Sequence, residues 1–182
     1  LMKFTGNLTD YLRFKRLLSK YSLSEPEERI INTLDVTGSN ALVKLYDKIT
    51  NAYVYVVTIS GKKKTMNREQ LTTLVRSSNS KTREMAYKVL FSKYNENKGV
   101  TGEIYQNIVQ NWRDEGIDMR GFSSPITIRN ISNDIDDKTI NTLLDVCKKN
   151  TGIFQKYFTQ KAKLVGVKKL RRYDLYAPTK SK

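Results

Sequence analysis

Near the end of the chain, KKLRRYDLYAP at residues 168–178 sets four cations and two tyrosines within eleven residues. In a nucleic-acid surface, Lys168, Lys169, Arg171 and Arg172 would neutralise phosphates while Tyr173 and Tyr176 stacked on bases. The same run would equally serve as a basic junction into a further domain, with its cations facing acids there. A second set of chemistry-bearing residues lies in RGFSSPITIRN, which Arg120 and Arg129 bracket. A planar guanidinium suits bidentate pairing, either with the carboxylate or backbone of a ligand or with an acid of this chain that pins the segment. Between the arginines, Phe122 and Pro125 are expected to fix a non-helical path. The acids Glu25, Glu27 and Glu28, and again Asp134, Asp136 and Asp137, collect where helices are expected to start. Free N–H groups and the helix dipole favour negative charge there, so capping accounts for them without catalysis.

Several chemistries are closed to these 182 residues. Histidine is absent, which removes Ser-His-Asp and Cys-His catalysis and the commonest zinc ligand. Cys147 is the single cysteine, so no intrachain disulfide forms, and a reducing, cytoplasmic setting suits it. Its place on a strongly periodic helix predicts a buried, inert thiol. Trp112, with Tyr105 and Ile108, reads as core aromatic at helical spacing. SGKKKT holds one glycine where a phosphate loop needs two, and it falls at an expected hairpin tip; a solvated turn accounts for it. No apolar run approaches the ~20 residues of a bilayer span, and no signal-peptide pattern opens the chain, so no membrane partner is expected.

The elements that must position these residues are mostly helical. Leu8, Tyr11, Leu12, Leu18 and Tyr21 fall at helical steps, and Ser22-Leu23-Ser24 breaks the run. Ser24 then caps a second helix, with Glu27 completing a capping box and Pro26 in the first turn. A turn at Gly38 leads to a third. At residues 53–66 the period changes to two: Tyr53, Tyr55, Val57 and Ile59 alternate, and Ser60-Gly61 supplies the turn of a hairpin. Asn67 and Ser80 are expected to cap the next two helices, with an interruption at Lys98-Gly99 and a stop at Gly116. After the irregular stretch IDMRGFSSPITIRNISNDID, one long helix is expected from Asp136 to Gly166, carrying Ile140, Leu143, Leu144, Cys147, Phe154 and Phe158 on one side. The fold class is therefore mainly α, a multi-helix domain with one small β-hairpin. Domain organisation follows as a helical domain over 1–166, with the hairpin near 53–66, and a basic junction over 167–182.

Charge is uneven. The net charge is +15, and residues 148–182 hold eleven Lys or Arg against Asp174 alone. Such an excess calls for an acidic partner or an acidic neighbouring surface. No recognised nucleic-acid module is readable, so nucleic acid is expected to bind only non-specifically; a small basic helical nucleic-acid-binding protein is the alternative reading.

In order along the chain, LSEPEERIINTLDVTGSNALVKLYDKIT, the hairpin, LTTLVRSSNSKTREMAYKVL, RGFSSPITIRNISNDI and KAKLVGVKKLRRYDLYAP resemble the oligoendopeptidase F family of thimet-type zinc metallopeptidases. The resemblance covers residues 22–178. It implies the helical wall of a larger channel-type peptidase that cuts short peptides, with zinc held by an HExxH helix in a catalytic domain that follows the matched region. No such residue exists here to carry over, so no cofactor is expected in this chain, with zinc in the family's catalytic domain, and the chain alone is expected to be inactive. The implied partners are that catalytic domain and, through the complete enzyme, an oligopeptide. On this resemblance Arg120, Phe122 and Arg129 are expected to contact substrate or the catalytic half, and Tyr173 and Asp174 to mark the domain junction. Apolar surface is expected to be exposed at Leu164, Val165, Leu170 and Leu175.

Overall fold

The computed structural model describes residues 8–179. Among them nine α-helices and a two-stranded antiparallel sheet follow one another: α1 (Thr9–Leu18), α2 (Glu25–Thr37), α3 (Ser39–Asn51), β1 (Tyr55–Ile59), β2 (Lys62–Met66), α4 (Arg68–Thr73), α5 (Ser80–Glu96), α6 (Lys98–Arg113), α7 (Pro125–Ser132), α8 (Asp137–Lys149) and α9 (Thr151–Val165). The mainly α class with one hairpin is observed. Two compact units divide the chain. One runs up to Lys44 and takes in Glu103–Cys147; the other joins Leu45–Gly102 to the chain from Lys148 onward.

Local chemistry sets most of the helix ends. The Glu27 carboxylate accepts from the Ser24 N–H at 2.8 Å and from its hydroxyl at 2.6 Å, closing the start of α2. Asn67 and Gln70 cap α4 reciprocally at 2.9 and 3.0 Å. The start of α5 departs from expectation by one residue. Asn79, not Ser80, accepts from the Lys81 N–H at 2.9 Å, because its carbonyl oxygen reaches the open first turn from an extended backbone.

The second unit has its core around the hairpin. Ser60 and Gly61 both take positive φ, the geometry of the two-residue turn whose twist matches the strands, and the register pairs Ile59 with Lys62 and Tyr55 with Met66. The inward-facing set of β1 is buried as its alternation predicts. Tyr53, Tyr55 and Val57 pack with Leu71 of α4 and Ala86 of α5, and Leu90 and Tyr94 close over them. β2 is lysine-rich and exposed, so the cluster SGKKKT is a solvated turn and edge strand.

The first unit differs from expectation in the stretch after α6. Gly116 does not stop that helix. Residues Asp114–Met119 widen into a π-helical turn, and Gly116 within it is buried against α7. A Cβ there would stand 2.2 Å from Cδ1 of Ile128, so any side chain at this position requires Ile128 to move aside. The segment expected to be irregular contains α7, and Pro125 begins that helix instead of diverting the chain from one. Ser124 caps α7, its Oγ accepting from the Thr127 N–H at 3.3 Å, and proline in the first helical turn has no N–H to leave unpaired.

The single long helix expected from 136 to 166 is two helices. Asn150, at φ −102° and ψ 13°, separates α8 from α9, and α9 ends at Gly166. Every residue from 141 to 160 is exposed. Cys147 is therefore exposed, contrary to the expectation of a buried thiol, because the apolar side of α8 lacks cover among the described residues. Tyr105 and Trp112 are likewise exposed and are not core aromatics; in α6 the buried residue is Ile104.

Candidate functional site

Arg120 is the centre of the first unit's polar chemistry. It follows the π-helical turn, which swings its side chain toward the start of α2. There Nη1 and Nη2 donate to the two oxygens of Glu28 at 2.6 and 2.9 Å, Nε donates to Glu115 at 2.9 Å, and Nη1 also reaches the Tyr21 carbonyl at 3.2 Å. This is the fork-on-fork pairing for which guanidinium is suited. The Arg120 hydrogen bonds hold the Glu28 carboxyl down at about 2, with a further bond from the Leu23 N–H, and the same contacts raise the Arg120 pKa. Of the two roles open to Arg120 from sequence, pairing with an acid of the chain is the one the geometry displays; the acid is Glu28 of α2's first turn.

Phe122 also contacts Tyr21. Its ring stacks on Tyr21 with centroids 3.9 Å apart and planes 7° from parallel, and it is buried. Arg120 and Phe122 thus clamp the carbonyl and the ring of Tyr21 together. Arg129, on α7, lies with its guanidinium 5.5 Å from the Trp112 ring centroid, a cation–π contact at a partly exposed site. A cleft of about 600 Å³ opens beside these groups, walled by Val43, Ile108, Trp112, Phe122 and Ile128, with Arg120 and Glu115 among its polar edges. Asp137 is also engaged, accepting from Asn130 Nδ2 at 2.7 Å and from the Thr127 hydroxyl at 3.1 Å.

Tyr173 and Asp174 belong to the second unit. A short 3-10 turn at Arg172–Asp174 tucks Asp174 beneath α5, where it and Arg83 are each 1 % exposed. Arg83 donates to Asp174 Oδ1 through Nη2 at 2.7 Å and Nε at 3.3 Å, and Nη1 donates to the Ser77 and Ser78 carbonyls at 2.8 and 3.0 Å. The other Asp174 oxygen accepts from the Arg171 N–H at 3.0 Å. The Lys161 ammonium donates to the Leu175 carbonyl, Ala177 is buried, and Tyr173 lies 5.9 Å from Tyr87. The tail is therefore folded onto its unit. Its cations Lys168, Lys169, Arg171 and Arg172 face outward, while Tyr173 is half-buried and Tyr176 exposed. Of the four apolar residues expected at its surface, Leu164 is exposed, whereas Val165, Leu170 and Leu175 are half-buried because the tail packs back on α9.

Counted over the sequence, the second unit holds 22 Lys or Arg against 5 acids, and the first 11 against 13. The whole basic excess lies in one unit.

The sequence pattern of peptidase family M3 matches residues 73–182, more than half of the chain. The chain belongs to peptidase family M3. Within that family it is similar to oligoendopeptidase F homologues, at 22% identity over 161 residues to that of Borreliella burgdorferi and 21% over 169 residues to that of Lactococcus lactis. Its fold matches oligoendopeptidase F from Enterococcus faecium with a TM-score of 0.80 at 22% identity, and a candidate peptidase from Chlamydophila abortus with a TM-score of 0.82 at 20% identity. Each solved structure covers 94% of this chain. The reverse share is small: the M3 chain spans 26% and 28% of the two curated relatives and 29% and 34% of the two solved chains.

Zinc is the metal of this family. The donors present do not fit it. The sequence has no histidine, and among the described residues no three Cys, Asp or Glu side chains gather as a metal site. Several acids are already engaged within the chain, Glu28 and Glu115 by Arg120, and Asp137 by Thr127 and Asn130.

Proposed function

We propose that this M3 chain is the amino-terminal, non-catalytic portion of an oligoendopeptidase F-like zinc metallopeptidase that hydrolyses short peptides, and that its helices form part of the wall of the substrate channel. The single observation that carries this reading is the asymmetry of coverage. Nearly all of this chain superposes on peptidases of which it makes up about a third. The histidine-free sequence adds support, since an HExxH site would have to be supplied by the remainder of the enzyme. The chain's own contribution is then structural. Arg120 and Phe122 line the cleft where a peptide or the catalytic half is met, with Arg129 placed against its Trp112 wall, and Asp174 anchors the junction that leads on to that half.

The reading is tested on the purified 182-residue chain and on the complete native polypeptide side by side. Zinc content is measured by elemental mass spectrometry, and cleavage by a quenched fluorogenic peptide with and without chelator. The chain alone is expected to hold no stoichiometric zinc and to cut nothing, while the complete polypeptide shows both. Chelator-sensitive cleavage by the chain alone would overturn the reading.

A further inference from the structure

We propose that the first two turns of α9 are a docking surface for the remainder of the same peptidase, and that the surface received there is apolar with an acidic rim. This rests on the reading of the chain as part of a larger enzyme. Ile153, Phe154, Tyr157 and Phe158 lie on one arc of α9 and are 63%, 54%, 55% and 41% exposed. Phenylalanine and tyrosine each present roughly 150–250 Å², so the four leave on the order of 400 Å² of apolar surface in water. That is as large as the largest patch on a typical soluble monomer, concentrated on two helical turns.

Three observations choose the occupant. The same arc of α9 continues to Val165, and there the chain's own tail covers it, with Lys161 bonded to the Leu175 carbonyl and Ala162 buried beside it. The face is thus in part an internal packing face at its carboxyl end, where Val165 is half-buried although Leu164 stays exposed, and it is uncovered along its start. Next, between two-thirds and three-quarters of the length of the matched peptidases has no counterpart in this chain, which is enough polypeptide to complete that packing. Finally, Lys149 and Lys156 stand one turn before and one turn after Ile153, in the unit that carries the entire basic excess, so acids at the rim of the opposing surface are attracted and a second copy of this unit is repelled.

The test uses the complete polypeptide with Tyr157 replaced by the photo-crosslinking residue p-benzoylphenylalanine, and the crosslinked peptide is identified by mass spectrometry. A link to a segment of the same polypeptide outside these 182 residues, with Asp or Glu beside the apolar contact, is the expected result. A link to a second copy, links only within the 182 residues, or no link overturns the proposal. A companion variant, Phe154→Lys, separates docking from folding. It should leave the melting temperature of the 182-residue chain within about half a degree while lowering that of the complete polypeptide by about 1–2 degrees, the shift that about 1–2 kcal/mol produces in a chain three to four times this length. Equal effects on both would overturn the proposal. Intact mass is read first: a native product no larger than this chain removes the peptidase reading itself, whereas a full-length product without the crosslink removes only the docking surface.

Discussion

Replacing Arg83 with methionine should unfasten the basic tail. In the folded chain Arg83 satisfies three acceptors at once, the Asp174 carboxylate and the Ser77 and Ser78 carbonyls, with both charged side chains 1% exposed. Methionine fills similar volume but donates nothing. Asp174 would keep only the Arg171 N–H at 3.0 Å, leaving a buried carboxylate without its counter-charge. Removing one partner of a buried pair costs about 3–5 kcal/mol, a large fraction of the stability of an ordinary domain. The pair itself adds far less than that, since both charges had to leave water to form it. The double variant Arg83→Met with Asp174→Leu should therefore recover to within about 1.5 kcal/mol of the parent. Urea unfolding followed by circular dichroism measures all four corners of the cycle, and trypsin sensitivity at Lys168 to Arg172 reports on the tail directly. A single variant costing under about 1 kcal/mol, or a double variant losing the sum of the singles, would refute the reasoning.

Other expectations follow from the same geometry. Glu28 is held at about 2 against an ordinary 4.5, so its contribution is fully present above pH 4.5 and is lost as pH falls from there toward 2. The shift corresponds to about 3 kcal/mol before solvent screening and to about 1–2 kcal/mol after it, and Glu28→Gln should flatten that limb of a pH-stability curve. Gly116→Ala should destabilise the first unit by about 1–3 kcal/mol through the clash with Ile128, and Ile128→Val in the same chain should restore part of the loss in thermal melts. Leu71→Ala, at the centre of the hairpin cluster, should cost about 2–5 kcal/mol by urea titration. Binding to a DNA duplex should be sequence-independent and fall linearly in log–log plots with salt; selective binding at physiological salt would instead favour the nucleic-acid reading.

The legible parts of the fold were those set by a few neighbouring residues. Ser24 with Glu27, Asn67 with Gln70, and the alternation of Tyr53, Tyr55 and Val57 before Ser60-Gly61 each declare a local structure. α7 was concealed because Ser124-Pro125 resembles a turn, although serine before proline is also how a helix begins, and because Ile126, Thr127 and Ile128 are β-branched. Periodicity shows which side of a helix is apolar and not whether anything covers it, which is why Cys147, Trp112 and Tyr105 were expected to be buried and are exposed. Within the site, Arg120 was legible as a pairing group, but its partner, 92 residues away, was not; Glu28 had the adequate local role of a capping acid. Arg83 was missed although a signal existed. It stands three residues before Ala86 and seven before Leu90, on the core-facing side of α5, where a charge requires a buried partner. Asp174, the lone acid in a cationic tail, was the residue to pair with it.

The central claim is that this M3 chain is one part of a larger zinc peptidase, and the size of the native polypeptide tests it most directly. Antibody detection with intact mass in the source organism should find these residues in a product roughly three to four times the 21.1 kDa of this chain, carrying an HExxH sequence beyond residue 182. A native product of 21.1 kDa, with no separate chain supplying a zinc site, would contradict the account.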